Sequence, residues 1–383
     1  MSRESLARCR NIVIKVGSAV LARTTAPGAA ALDGAVLLDL VQTISDLLAE
    51  GYKVSLVTSG AILSGMITLG YATRPRLLPE KQACAAVGQI ELMYRYRELF
   101  AQRGVAVGQL LLTADDFRDR QRFLNARNTV LTLLDRGALP IINENDTVSV
   151  DEIKLGDNDN LSSMVINLVG ADLLLLLSDV EGLYTADPKR DPAATRIRTL
   201  TEGAPELAAL AQATSAGVGT GGIATKIFAA EKAMALGVPA VIACGKVRGV
   251  IRAVLAGLDT GTMFTPRRDA LRAKKHWIAF APKPRGRLLL DAGAVRALTH
   301  SQKSLLPIGI KGVEGEFEMG DLVSLLAPDN REIGRGLSSY SAEEVRRIQG
   351  QQTTEIERLL GRKDFDEVVH RDNLVLAKGE GAA

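Results

Sequence analysis

A chain of 383 residues exceeds the usual size of one domain, so two are expected. Hydrophobic residues make up 46% and charged residues 24%, a globular balance with ample material for a buried core. The 47 basic and 44 acidic residues leave a net charge of +3, which argues against a surface wholly given to nucleic acid or anionic lipid, while a local basic patch stays open.

In chain order, "NIVIKVG" from Asn11 predicts a strand and "LLDLVQTISDLLAEG" an amphipathic helix stopped at Gly51. "KVSLVTSGA" from Lys53 is a second strand ending in small residues. Helical segments follow around Glu80 to Gln102, then a strand "VAVGQLLLT" and a helix through Arg122 to Asp135. "LPIINEND", "DLLLLLSDVEG" and "PAVIACG" from Pro239 are further strands. Strands this apolar, separated by helices, predict an α/β fold with a mostly parallel open sheet sandwiched by helices. Such sheets bind ligands at the carboxyl ends of their strands, here "KVGS", "VTSGA", "NEND" and "LSDVEG".

The pattern changes after about Thr262. "MFTPRRDALRAKK", with Arg267, Arg268, Arg272, Lys274 and Lys275, predicts a linker over 263–275 after a first domain at 1–262. Short strands with glycine turns follow ("KHWIAFA", "GRLLLD", "SLLPIGIKGVEGEF", "GDLVSLLA", "EIGRGLSSY") and predict a small β-rich domain over 276–360. "SAEEVRRIQGQQTTEIERLLG" is helical, with Ser341 as N-cap and Glu344 three residues on, and 361–383 is left as a tail.

The three cysteines, Cys9, Cys84 and Cys244, show no CxxC spacing, so they give no disulfide framework or zinc site and fit a reducing cytoplasm. The N-terminus has no signal-peptide core, and the run Leu173 to Leu177 is far too short to span a bilayer. A cytoplasmic chain without membrane contact is expected.

Several clusters could carry chemistry. "AGVGTGGIATK" satisfies Gly217-x-Gly219-x-x-Gly222, but the segment before it reads as helix, not the strand a dinucleotide fingerprint needs. What remains is a glycine-rich loop opening a helix with Lys226 in its first turns, either an anion site or a mobile loop with a surface lysine. Lys15 sits inside an apolar strand, where an unpaired ammonium is costly. It either snorkels from an edge strand or stands beside transferring phosphoryl oxygens. Ser59 in "VTSGAI" suits a carboxylate or phosphate, although, taken alone, an ordinary strand-to-helix turn with Ser59 as cap accounts for it better. The run "NENDTVSVDEIKLGDNDN" holds Asn143, Asn145, Asp146, Asp157, Asn158, Asp159 and Asn160. It fails as a calcium loop, because Leu161 and Ser162 stand where an acid or amide and a glycine are needed. Asn160 or Asp159 could cap "LSSMVINLVG", but one cap explains one residue. Alternating acids and amides offer acceptors for an ammonium and donors for a carboxylate, the two needs of an amino acid. His276, His300 and His370 all fall in the C-terminal part, so the large domain has no histidine base at a strand end. A carboxylate nucleophile needs none.

Taken together, "IVIKVGSAV", "LVTSGAI", "AAVGQIELM", "QLLLTADDF", "FLNARNT", "PIINEND", "EIKLGDNDNLSS", "LLLLSDVEGLYTADP", "GVGTGGIATK" and "GVPAVIACG" closely resemble the amino acid kinase family, in its glutamate-phosphorylating branch. The C-terminal "SLLPIGIKGVEGEFEMGDLVSL" and "REIGRGLSSYSAEE" resemble a PUA domain, a small β-rich barrel. The resemblance implies ATP-dependent phosphorylation of the γ-carboxylate of L-glutamate, opening proline biosynthesis, with Mg²⁺ arriving on the ATP phosphates. It implies that Lys15 and Lys226 steady the transferring phosphoryl group and that Asp159 holds both lysines. Ser59, Asp146 and Asn158 match the glutamate-binding residues, with Asp157 and Asn143 close by. Lys15, Gly17, Ser178, Asp179 and the run Thr220, Gly221, Gly222, Ile223, Ala224, Thr225 and Lys226 match the nucleotide site, and no residue is matched to a metal ligand. It further implies inhibition by proline and assembly as a dimer or tetramer, and leaves open partnership with glutamyl phosphate reductase and RNA contact through the PUA-like module. The segment "RTTAPGAAALDG" matches nothing and is expected to be a variable loop.

Three alternatives compete. The first is a sibling kinase acting on N-acetylglutamate, aspartate, carbamate or a nucleoside monophosphate; the acidic run argues against N-acetylglutamate, which has no free ammonium, and against the nucleotide, which calls for arginines where Asp157 and Asp159 stand. An RNA-binding protein would use the basic linker. A dehydrogenase would rest on the Gly217 pattern in the wrong context.

Overall fold

The computed structural model describes residues 2–26, 29–148, 158–186, 191, 193–204, 221–266, 284–301, 303–363 and 365–376. The chain divides into two compact units, Met1–Leu271 and Arg272–Ala383. Asp157, Gly217, Gly219, Thr220, His276, the "KHWIAFA" strand and all five basic linker residues lie outside the described residues.

In the first unit the strands are β1 (Asn11–Val16), β2 (Ala22–Ala26), β3 (Ala29–Leu32), β4 (Lys53–Thr58), β5 (Val107–Leu112), β6 (Leu139–Glu144), β7 (Leu173–Ser178), β8 (Thr199–Thr201), β9 (Ala240–Cys244) and β10 (Thr262–Thr265). The helices are α1 (Ser18–Leu21), α2 (Gly34–Ala49), α3 (Ala61–Thr68), α4 (Leu78–Ala101), α5 (Ala114–Arg118), α6 (Arg120–Asp135), α7 (Asn158–Val169), α8 (Gly221–Ala235) and α9 (Val250–Leu255). Eight strands form one sheet in the order β5-β6-β4-β1-β7-β9-β10-β8. From β5 to β9 every pairing is parallel; β10 runs antiparallel to β9, with β8 parallel to β10 at the edge. The segment expected to be a variable loop holds the β2–β3 hairpin.

Alternation along the strands sorts residues between two cores. Ile12, Ile14 and Val16 of β1 join Leu56, Leu173 and Leu175 in a core with α2 and α4 residues such as Ile44, Leu92 and Tyr96. Val13 faces the other way, into a core with Val165 and Ile166 of α7 and Ile227 and Ala230 of α8. Lys15 shares Val13's parity, so β1 aims it at the face that α7 and α8 cover. Among the described residues, no helix is long and apolar enough to cross a membrane.

In the second unit, β11 (Gly286–Leu290), β12 (Ile310–Gly315), β13 (Leu322–Leu326), β14 (Glu332–Leu337) and β15 (Leu374–Leu376) form a sheet in the order β12-β11-β13-β14-β15. It packs with α10 (Ala292–Ser301), α11 (Ala342–Ile348) and α12 (Ile356–Leu360) around Leu288, Val323, Leu325, Val345 and Ile356. At α11 both halves of a capping box form: Ser341 Oγ accepts from Glu344 N at 3.3 Å, and Glu344 Oε2 accepts from Ser341 N at 2.9 Å. The helical run beyond it breaks at Gly350, whose φ of 74° only glycine adopts readily. Both sheets reach past the boundaries read from composition, β10 to Thr265 and β15 to Leu376, because strand pairing and not local polarity ends a strand.

Candidate active site

The carboxyl ends of β1, β4, β6 and β7 open on one cleft of about 1000 Å³. It lies where the chain, after building the sheet outward from β1 on one side, continues with β7 on the other, the switch point at which such sheets bind ligands.

The cleft floor holds a three-residue ion cluster. Lys15 comes from the central strand β1 and is only 4% exposed, which excludes an edge-strand lysine reaching for water. Its ammonium is 2.5 Å from Asp159 Oδ1. The second oxygen, Oδ2, takes Lys226 at 3.3 Å and the Thr225 hydroxyl at 2.7 Å. One carboxylate from the first turn of α7 therefore ties β1 to α8, and the helix N-terminus favours its negative charge. Lys226 also donates to Gly222 O at 2.9 Å, one turn back in α8. Burial alone would push the Asp159 carboxyl up, but Lys15 and Lys226 outweigh it and hold the group below its usual range. Burial pulls the Lys226 ammonium down, Asp159 pulls it back up, Lys15 opposes that, and the net shift is downward.

Beside this cluster the wall is amide and hydroxyl. Asn158 Nδ2 donates to Thr58 O at 3.1 Å, Ser59 Oγ at 3.0 Å and Asn143 Oδ1 at 2.9 Å. Asn143 passes its own Nδ2 to Gln89 Oε1 at 2.8 Å. Asp146, buried at the end of β6, lines the same side, and Tyr71 and Arg74 form its outer rim. The backbones of α3 and α4 touch here: a Cβ on Gly88 would lie 1.9 Å from Ala61 O, and one on Gly65 1.8 Å from Cys84 O. This contact brings the Ser59–Ala61 turn against the helix that carries Gln89. Gly60, with φ of 111°, makes the sharp turn into α3.

A family model described as the amino acid kinase family matches residues 10–244. The chain belongs to that family. As an amino acid kinase it is an ATP-using phosphotransferase, and a second model, the PUA domain, matches residues 286–360. Its curated relatives include the glutamate 5-kinase of Trichlorobacter lovleyi, 49% identical over 376 residues and covering 98% of this chain and 99% of that protein. The glutamate 5-kinase of a Geobacter species is 47% identical over 376 residues, covering 98% of this chain and all of that one (100%). That of Deinococcus radiodurans is 50% identical over 365 residues, covering 95% and 99%.

In this amino acid kinase, Lys15, Gly17, Ser59, Asn143, Asp146, Asp159, Ser178, Asp179, Gly222, Ala224, Thr225 and Lys226 all line the cleft. Asn158 stands behind the wall at 1% exposure, and Ile223 packs against the α7–α8 core instead. The expected helix cap is corrected: α7 already begins at Asn158, which puts Asp159 and Asn160 inside its first turn. There Asn160 Oδ1 accepts from Lys232 Nζ at 2.5 Å. Ser59 is no cap either, since Gly60 holds that position and Ser59 Oγ serves Asn158. Gln89, Tyr71 and Arg74 escaped the residue chemistry. Gln89 had a signal: it is the polar member of the buried stripe Cys84, Ala85, Gly88, Gln89, Leu92, Tyr96, Phe100 on α4.

Proposed function

We propose that this chain transfers the γ-phosphoryl group of ATP to the γ-carboxylate of L-glutamate, giving L-glutamyl 5-phosphate and ADP, the first step of proline biosynthesis. The observation that carries it is the Lys15–Asp159–Lys226 cluster set beside a pocket of paired amides and the Asp146 carboxylate. Together with relatives bearing the name glutamate 5-kinase, it supports an anionic group in transfer next to an amino acid.

In this mechanism the γ-carboxylate, ionised at neutral pH, attacks the γ-phosphorus in line. A carboxylate O–P bond forms as the bond to the β,γ-bridging oxygen breaks, and ADP departs with that electron pair. Lys15 and Lys226 stabilise charge on the equatorial oxygens, while Asp159 keeps the two ammonium groups apart from bulk water and at fixed spacing. Ser178, Asp179 and the start of α8 border the nucleotide, with Thr220 given the same role by resemblance. Asp146 takes the substrate ammonium, with Asp157 given a place near it by resemblance. Ser59 and Asn143 fix the substrate's polar groups, and Asn158 holds both of them from behind the wall. Mg²⁺ would arrive with ATP, taking few protein ligands, and would supply neutralisation of phosphate charge.

Proline is assigned to the glutamate pocket as a competitive inhibitor, and a dimer or tetramer is the expected assembly. ADP release is measured with Mg²⁺-ATP and L-glutamate, N-acetylglutamate, aspartate or no acceptor, and hydroxylamine traps any acyl phosphate as a hydroxamate. Hydroxamate with glutamate above the other acceptors is expected. No hydroxamate with glutamate overturns the proposal.

A further inference from the structure

We infer that Gln89 is a positioning residue for the acceptor substrate: its side-chain carbonyl sets the orientation of the Asn143 amide and, through it, of Asn158 and the Ser59 hydroxyl. The orientation is fixed by donor and acceptor identity. Glu144 N can only donate, and it lies 2.9 Å from Asn143 Oδ1, so that oxygen faces Glu144 and also receives Asn158 Nδ2 at 2.9 Å. Asn143 Nδ2 must then point the other way, at an acceptor, and Gln89 Oε1 is that acceptor at 2.8 Å. A flipped Asn143 would set its amino group against two donors. With Asn143 fixed, Asn158 is held so that the same Nδ2 reaches Ser59 Oγ at 3.0 Å. The relay thus runs from α4 through β6 and α7 to the end of β4, and Asn143 and Ser59 line the cleft.

Packing alone does not account for a glutamine here. Gln89 is 9% exposed, on the apolar stripe of α4, and its Nε2 has no hydrogen-bond partner among the described residues. A leucine or methionine would fill the site without stranding a donor. The acceptor is what distinguishes glutamine at this point, and among the described residues it serves Asn143.

The inference rests on glutamate being the acceptor substrate. The test compares wild type, Gln89→Met, Gln89→Glu, Asn143→Ala and Gln89→Met/Asn143→Ala by hydroxamate formation, with thermal melts to confirm folding. For Gln89→Met the glutamate KM rises about tenfold, the scale of one lost hydrogen bond, while the ATP KM stays within about twofold. Gln89→Glu, which keeps an acceptor toward Asn143, stays closer to wild type than Gln89→Met does. The double variant is no worse than Asn143→Ala, because the relay is already cut. Equal rises in both KM values, an unchanged glutamate KM, or additive effects in the double variant overturn the role of Gln89 alone. Failure of the wild type to form hydroxamate with glutamate overturns the functional proposal as well.

Discussion

Replacing Asp159 by asparagine removes one negative charge and leaves the shape almost unchanged. In the wild type that charge faces ammonium groups at 2.5 Å and 3.3 Å, with side-chain exposures of 2% for Asp159, 5% for Lys15 and 12% for Lys226. At an effective dielectric constant near 20, each contact is worth on the order of 5 kcal/mol before the cost of burying the charges. Burial offsets much of this, and stripping one partner from such a cluster costs roughly 3–5 kcal/mol, because the remaining charges are stranded. Asp159→Asn is therefore expected to lower unfolding stability by about that amount and turnover by about 10²-fold or more. It also changes the pH profile. Asp159 is the strongest influence raising the Lys226 pKa, so its loss lets burial and Lys15 pull Lys226 further down. The active ammonium form is then lost at lower pH, and the alkaline limb of the rate profile moves toward neutrality. Hydroxamate formation from pH 6 to 10 (roughly the span from unperturbed His to Lys) and urea denaturation test this. Turnover within twofold of wild type, with an unmoved alkaline limb, would refute the assignment of Asp159 as the shared counter-charge.

The remaining predictions concern the same machinery. Because the Asp159 pKa is lowered in the fold, its stabilisation is complete above the ordinary carboxylate pKa near ~4 and fades as pH falls through the lowered value. The stability gap between wild type and Asp159→Asn should narrow in acid, as chemical denaturation at several pH values would show. Lys15→Ala and Lys226→Ala should each reduce turnover by about 10²–10³-fold, and a variant of normal turnover removes that lysine from the mechanism. Asp146→Ala should chiefly raise the glutamate requirement; an unchanged glutamate dependence at equal ATP refutes its role with the ammonium. Gly88→Ala forces a methyl group within 1.9 Å of Ala61 O and should destabilise the fold by about 3 kcal/mol or more, seen as a lowered Tm.

Much of this is legible in the amino-acid sequence, for reasons that differ between features. Apolar runs such as "LLLLL" at Leu173 and "IVI" at Ile12 identify central strands, because only a sheet covered on both faces buries every position. Lys15 was conspicuous as a charge in one of those strands. Its partner was not, since Lys226 and Asp159 meet across 67 residues of chain and no local pattern encodes that contact. The helix start is not legible locally, because capping chemistry permits several neighbouring residues and only the start of α7 at Asn158 places Asp159 and Asn160 inside the helix. Gln89 was passed over because a glutamine inside a long helix looks like a solvated residue until the buried stripe around it is traced.

Gly65 and Gly88 carry one more consequence. Where α3 meets α4, what lies in contact is main chain, so no side chain there can be trimmed or enlarged to relieve a mismatch. A saturation-mutagenesis screen scored on growth without added proline should record both positions as intolerant of every replacement. That is the profile usually credited to residues that touch substrate. Neither glycine has a functional group to offer, and in such a screen only protein abundance, measured beside activity, would separate a broken seam from a broken catalyst.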